Sequence, residues 1–70
     1  MTNAYLLNIN SFIKEYLDYC AMYLENQTLE RWDVFFDFQL ALYTYFKAKD
    51  VNAFMLARRC ANKCAQVFFN

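Results

Sequence analysis

A chain of 70 residues without a single Gly or Pro has few ways to turn sharply. Gly is the residue that enters φ > 0 at low cost, and the tight turns of hairpins depend on it. Pro, the strongest helix breaker, is missing as well. A sheet of this size needs several turns and would show their residues. The sequence therefore predicts an all-α fold whose helices run almost end to end.

Two polar breaks divide the chain. Asn26-Gln27-Thr28 ends an apolar-periodic run; Thr28 suits an N-cap, and Glu30 places acid in the first turn of the next helix. Lys47-Ala48-Lys49 puts positive charge at a helix C-terminus, and Asp50 suits the following N-cap. The expectation is a single domain, a compact three-helix bundle with helices over about 4–26, 29–48 and 51–68, open to completion by homodimerisation. Seventy residues bury only about 60% of the unfolded chain's surface, so added area from a partner would matter.

The first helix carries two adjacent apolar stripes. Leu6, Ile9, Ile13, Leu17, Cys20 and Leu24 form an aliphatic one, and Tyr5, Phe12, Tyr16, Tyr19 and Tyr23 an aromatic one about 90° around the helix. Together they span more than the arc of about 100° that one ordinary contact uses. In the second helix Glu30, Asp33, Asp37 and Thr44 make the main polar stripe, and apolar residues cover most of the rest. Two neighbours in a bundle do not easily cover such a helix. The third is cleanly amphipathic, with Ala53, Ala57, Ala61 and Ala65 recurring every four residues. A small-residue ridge of this kind admits close approach, so helices two and three are expected to pair tightly and antiparallel.

Eight Phe, six Tyr and one Trp are the unusual part of the composition. Phe residues are expected in the core. Tyr and Trp are the residues that binding hot spots favour, so Tyr16, Tyr19, Tyr23, Trp32, Tyr43 and Tyr45 are the candidate partner interface. Net charge is zero but unevenly placed. Residues 1–40 hold two bases against six acids, net −4, and residues 41–70 hold five bases against one acid, net +4. Attraction within one fold accounts for this simply; pairing with a second chain is the sharper reading. Arg58, Arg59 and Lys63 are candidate contacts for nucleic acid or an acidic partner, although the 100° rule turns Arg58 away from the other two.

Chemistry is poorly served. The chain has no His and no Gly-rich phosphate loop, and its one Ser is Ser11. Cys60 and Cys64 share a helical face, yet they alternate with Ala where free Cys acts as a small hydrophobe. No catalytic residue, cofactor or metal site is expected. Three Cys and the lack of a basic leader before an apolar core suit a reducing cytoplasm. The uncharged runs are shorter than the roughly 20 residues a membrane span needs. The function expected is that of a protein-binding module, a small regulator or inhibitor acting on another protein or on its own copy. The alternative is a nucleic-acid-associated regulator using the basic C-terminal half. The composition suits a fast-evolving accessory protein of the kind phages and plasmids carry.

Overall fold

The computed structural model describes the backbone of residues 2–70 and side chains from Asn10 onward. Three helices follow one another: α1 (Thr2–Glu25), α2 (Leu29–Ala48) and α3 (Val51–Phe68). The second and third match the expected bounds, and the first begins two residues earlier and ends one earlier than expected. Cap chemistry explains the sharper ends. Thr28 has extended backbone and its Oγ1 accepts from the Arg31 amide at 3.1 Å. Asp50 does the same for α3, accepting from the Ala53 amide at 2.8 Å. Each cap satisfies one of the amides that a helix start leaves without a partner.

Links of three and two residues force antiparallel neighbours, so the helices run up, down and up. Tyr23 meets Trp32 and Tyr16 meets Phe35 across α1 and α2. Tyr45 meets Phe54 across α2 and α3. The bundle measures 38 × 17 × 17 Å.

The core is aromatic on one side and small on the other. Phe38 is wholly buried at its centre, with edge contacts to the rings of Phe12, Tyr16 and Tyr19. From α3 come Ala53, Ala57, Ala61 and Cys64, all buried. The expected tight pairing of α2 and α3 is present: the Cys64 thiol donates to the Val34 carbonyl at 3.3 Å, a distance that only small side chains permit. Arg31 ties the ends together, donating to the Met22 carbonyl at 3.0 Å and lying over the Phe68 ring. That carbonyl lies in the last turn of α1 and accepts the Asn26 amide as well, at 3.2 Å.

Candidate functional site

The aromatic stripe of α1, rather than the aliphatic one, faces the core. Phe12 and Tyr19 are buried, and Tyr16 and Tyr23 lie half-buried against α2. The aliphatic stripe is left in water: Ile13, Leu17 and Leu24 are exposed, Leu17 by 60%. Tyr5, Leu6 and Ile9 lie outside the residues whose side chains are described. Geometry settles the choice between stripes. Rings reach further than aliphatic chains, and those of α1 bridge to Phe35, Phe38, Phe54 and Phe68 on both other helices.

The outward face of α2 is equally apolar. Phe35, Phe38, Ala41 and Leu42 point inward. At 100° per residue, Leu29, Trp32, Phe36, Leu40 and Tyr43 then fall on the opposite side, and all five are exposed. Phe46 is exposed as well. The expectation that Phe residues fill the core fails at Phe36 and Phe46, which fall outside the inward arc of α2, and at Phe69, which lies past the end of α3.

These two stripes adjoin. At the outer edge of the α1–α2 seam Tyr16 and Tyr23 of α1 touch α2, and Ile13, Leu17 and Leu24 flank them on the side away from α3. Trp32, Phe35 and Gln39 of α2 meet them there, and Phe36 and Tyr43 flank these three outward. Trp32 stacks on Phe36 at 5.3 Å and meets Tyr23 at 5.9 Å, carrying the surface across the seam. The Tyr16 hydroxyl donates to Gln39 Oε1 at 3.2 Å at the middle of the same seam. The result is one apolar face two helices wide. Isolated exposed apolar residues are ordinary, whereas a contiguous patch marks an interaction surface.

The six expected aromatic contacts divide accordingly. Trp32 and Tyr43 stand on this face, Tyr43 with Lys47 Nζ 5.5 Å from its ring centroid. Tyr16 and Tyr23 lie at its seam. Tyr45 is half-buried between Phe46 and Phe54. Tyr19 is only 4% exposed and packs on Phe38 and Phe68, so it offers a partner no surface. Phe36, Leu17 and Leu24 join Trp32 and Tyr43 on this face, although none is of the Tyr or Trp type that marks a contact in sequence. Their signal lay in their position opposite the inward-facing side chains.

The basic candidates are split. Arg59 and Lys63 line a shallow cleft of about 330 Å³ between α2 and α3, together with Asp37, Leu40, Leu56 and Cys60. Arg58 turns toward α1, where its charge acts on Glu15. Burial and the neighbouring Asp18 nonetheless raise the Glu15 carboxyl above its ordinary range. The Cys60 and Cys64 thiols are kept protonated. Burial, then Cys60, Glu15 and Asp37, push Cys64 up to about 12. Burial and Asp37 raise Cys60 against the opposing pull of Lys63 and Arg59. A thiolate is the form that attacks or binds metal, and neither environment favours it. Among the described residues, no three Cys, Asp or Glu side chains are grouped so as to hold a metal ion.

Comparison with known proteins adds no relative: no family model matches the chain, and no curated protein and no solved structure matches it significantly. Among the described residues, no helix is long and apolar enough to cross a membrane.

Proposed function

We propose that this chain is a non-enzymatic protein-binding module, a small regulator or inhibitor that acts by docking its α1–α2 face onto a protein. The observation that carries this reading is the outward stripe of α2. Phe36 and Tyr43 are exposed on the side of α2 away from the core, Trp32 is exposed beside them at the seam, and the stripe is continuous with Leu17 and Leu24 of α1. A helix bundle that leaves three large aromatic rings part-exposed loses the transfer free energy of burying their exposed area, about 25 cal/mol per Å². A partner that covers the face recovers it. The aromatic rings also bury much area while fixing few rotatable bonds, which suits them to anchoring. Free cysteines at all three positions fit a reducing cytoplasm as the place of action.

Affinity capture from native lysate of the source cells tests the proposal. Phe36→Lys and Tyr43→Lys should abolish recovery of partner protein, while Arg59→Ala with Lys63→Ala leaves it intact. The opposite pattern, with retention on nucleic acid that falls steeply as salt rises, would replace this reading by the nucleic-acid one.

A further inference from the structure

We infer that the cleft between α2 and α3 is a binding site for a free apolar α-amino acid, with the zwitterionic head at one end of the cleft and the side chain at the other. The site is separate from the α1–α2 face and stands or falls independently of it.

Helix register orders the lining of the cleft. The contacts of Cys64 with Val34 and of Phe54 with Tyr45 set α2 and α3 against each other, antiparallel. Asp37 of α2 then comes level with Lys63 of α3 to within about half a turn, and Leu40 comes level with Arg59. Leu56 falls between the levels of Ala41 and Thr44. All of these residues line the cleft. The charged groups therefore gather toward one end, and Ala41 and Leu56 form the other. The Thr44 hydroxyl donates to the Leu40 carbonyl at 2.9 Å, so it brings no free donor to the apolar end.

Charge on the two walls names the head group. Asp37 stands on the α2 wall, and Arg59 and Lys63 stand one turn apart on the α3 wall. Among the described residues the ion pair within 4 Å is Lys14–Asp18, so the two walls do not pair with each other. All three charges nonetheless act on the half-buried Cys60 thiol in the same cleft: beyond the effect of burial, Asp37 raises its pKa, and Lys63 and Arg59 lower it. Opposite charges that converge without pairing suit a ligand carrying both signs close together, its carboxylate toward Arg59 and Lys63 and its ammonium toward Asp37. A simple anion would meet Asp37, and a simple cation would meet Arg59 and Lys63. Volume limits the rest. At about 30 Å³ per non-hydrogen atom, the share of a water molecule in the liquid, the 330 Å³ of the cleft corresponds to a molecule between leucine and phenylalanine in size. A ligand this small, held in an open cleft, binds with a Kd on the order of 1 mM.

Titration of the isotopically labelled chain with leucine to about 20 mM, well above the expected Kd, followed by backbone amide shifts in NMR, tests the inference. The expected result is a saturable shift confined to residues 37–44 and 56–63. Isocaproate, which is leucine without its ammonium, and isoamylamine, which is leucine without its carboxylate, should each bind about tenfold more weakly, since each loses a charge-assisted hydrogen bond. Glycine, lacking the apolar side chain, should not bind measurably. Arg59→Ala with Lys63→Ala should abolish the shifts, and Asp37→Asn should remove the preference for leucine over isocaproate. These positions are exposed, so circular dichroism should show the variants as helical as wild type. No saturable shift by about 20 mM, isocaproate or isoamylamine binding as tightly as leucine, or leucine binding that survives the loss of Arg59 and Lys63 overturns the site.

Discussion

α2 has a seam on each side, and the two were closed in different ways. Against α3 the large side chains of α2 meet Ala57, Ala61 and Cys64, and the interface is dry enough for a thiol to reach a backbone carbonyl. Against α1 the contact is ring on ring, with Tyr16 stacked on Phe35 at 5.0 Å and Tyr23 on Phe35 at 6.1 Å. Large against small lets helices approach closely and fills space on both sides. Large against large fills the centre of the seam and leaves its outer rows without an opposite number. Trp32, Phe36, Leu17 and Leu24 are those outer rows. On the α1–α2 side, the exposed apolar side chains therefore gather along the outer rows of the seam.

The contrast is broken most forcefully at Phe38, which is wholly buried where both seams converge. Phe38→Ala removes its ring contacts with Phe12, Tyr16 and Tyr19 of α1 and should cost about 3–5 kcal/mol. In a bundle this small that approaches the entire stability, so urea denaturation should find the variant largely unfolded. Phe36→Ala, two residues away on the outward side, should move the monomer's midpoint by about 0.5 kcal/mol or less. Equal costs at the two sites would erase the distinction between inner and outer rows.

Alkaline pH probes the aromatic seam through Tyr19. Burial, then the charges of Glu15, Cys64 and Asp18, raise its hydroxyl from 10.0 to about 12. The native state holds that proton to higher pH than the unfolded chain does. Across the window between those values the unfolded state binds fewer protons, so stability is intact below pH 10 and falls as pH rises through it. At 1.36 kcal/mol per unit, Tyr19 accounts for about 2–3 kcal/mol of that loss. Thermal melts of Tyr19→Phe should therefore decline less steeply than wild type over the same window. Parallel curves would mean that Tyr19 is solvated on ionising and is not a core residue.

The small-residue seam is tested by the reverse substitution. Ala57 is wholly buried in the α3 ridge, and Ala57→Leu drives added volume into a filled interface. It should cost about 1–3 kcal/mol in chemical denaturation. Ala65→Leu, at a half-buried position of the same ridge, should cost less.

Much of this division was legible from the residues, and the rest was hidden for identifiable reasons. Thr28 and Asp50 announce the starts of α2 and α3 because capping is local chemistry. The start of α1 has no acid in its first turn to announce it. The Ala spacing of α3 revealed its partner, since only one kind of surface complements a small ridge. Which stripe of α1 turns inward was not legible, because periodicity gives both an apolar phase and says nothing about reach. Tyr19 was assigned to the surface on the general preference of Tyr for interfaces, and its place between Phe38 and Phe68 depends on helices distant in sequence. On α2 the acids misled in a different way. Asp33, Asp37 and Glu30 mark a wet flank, and the outward direction lies to one side of them, where Phe36 stands.

The smallest expected effect lies in the turn that joins the tight pair. Lys49 ends α2 at φ 54 and ψ 39, and its amide donates to the Tyr45 carbonyl at 2.7 Å. This is the left-handed position at which Gly is the usual residue, and here a Cβ occupies it. The strain is about 1–2 kcal/mol for a side chain in that region. Gly would relieve it while losing about 0.5–1 kcal/mol to the greater freedom of its unfolded backbone. Lys49→Gly should thus stabilise the monomer by about 0.5 kcal/mol, read as a raised urea midpoint with unchanged slope. The gain should appear as slower unfolding if the α2–α3 turn closes late, and as faster folding if that hairpin is the nucleus. Because the tight seam is the more completely buried of the two, the second result is the one expected, and α1 would then dock onto a hairpin already formed.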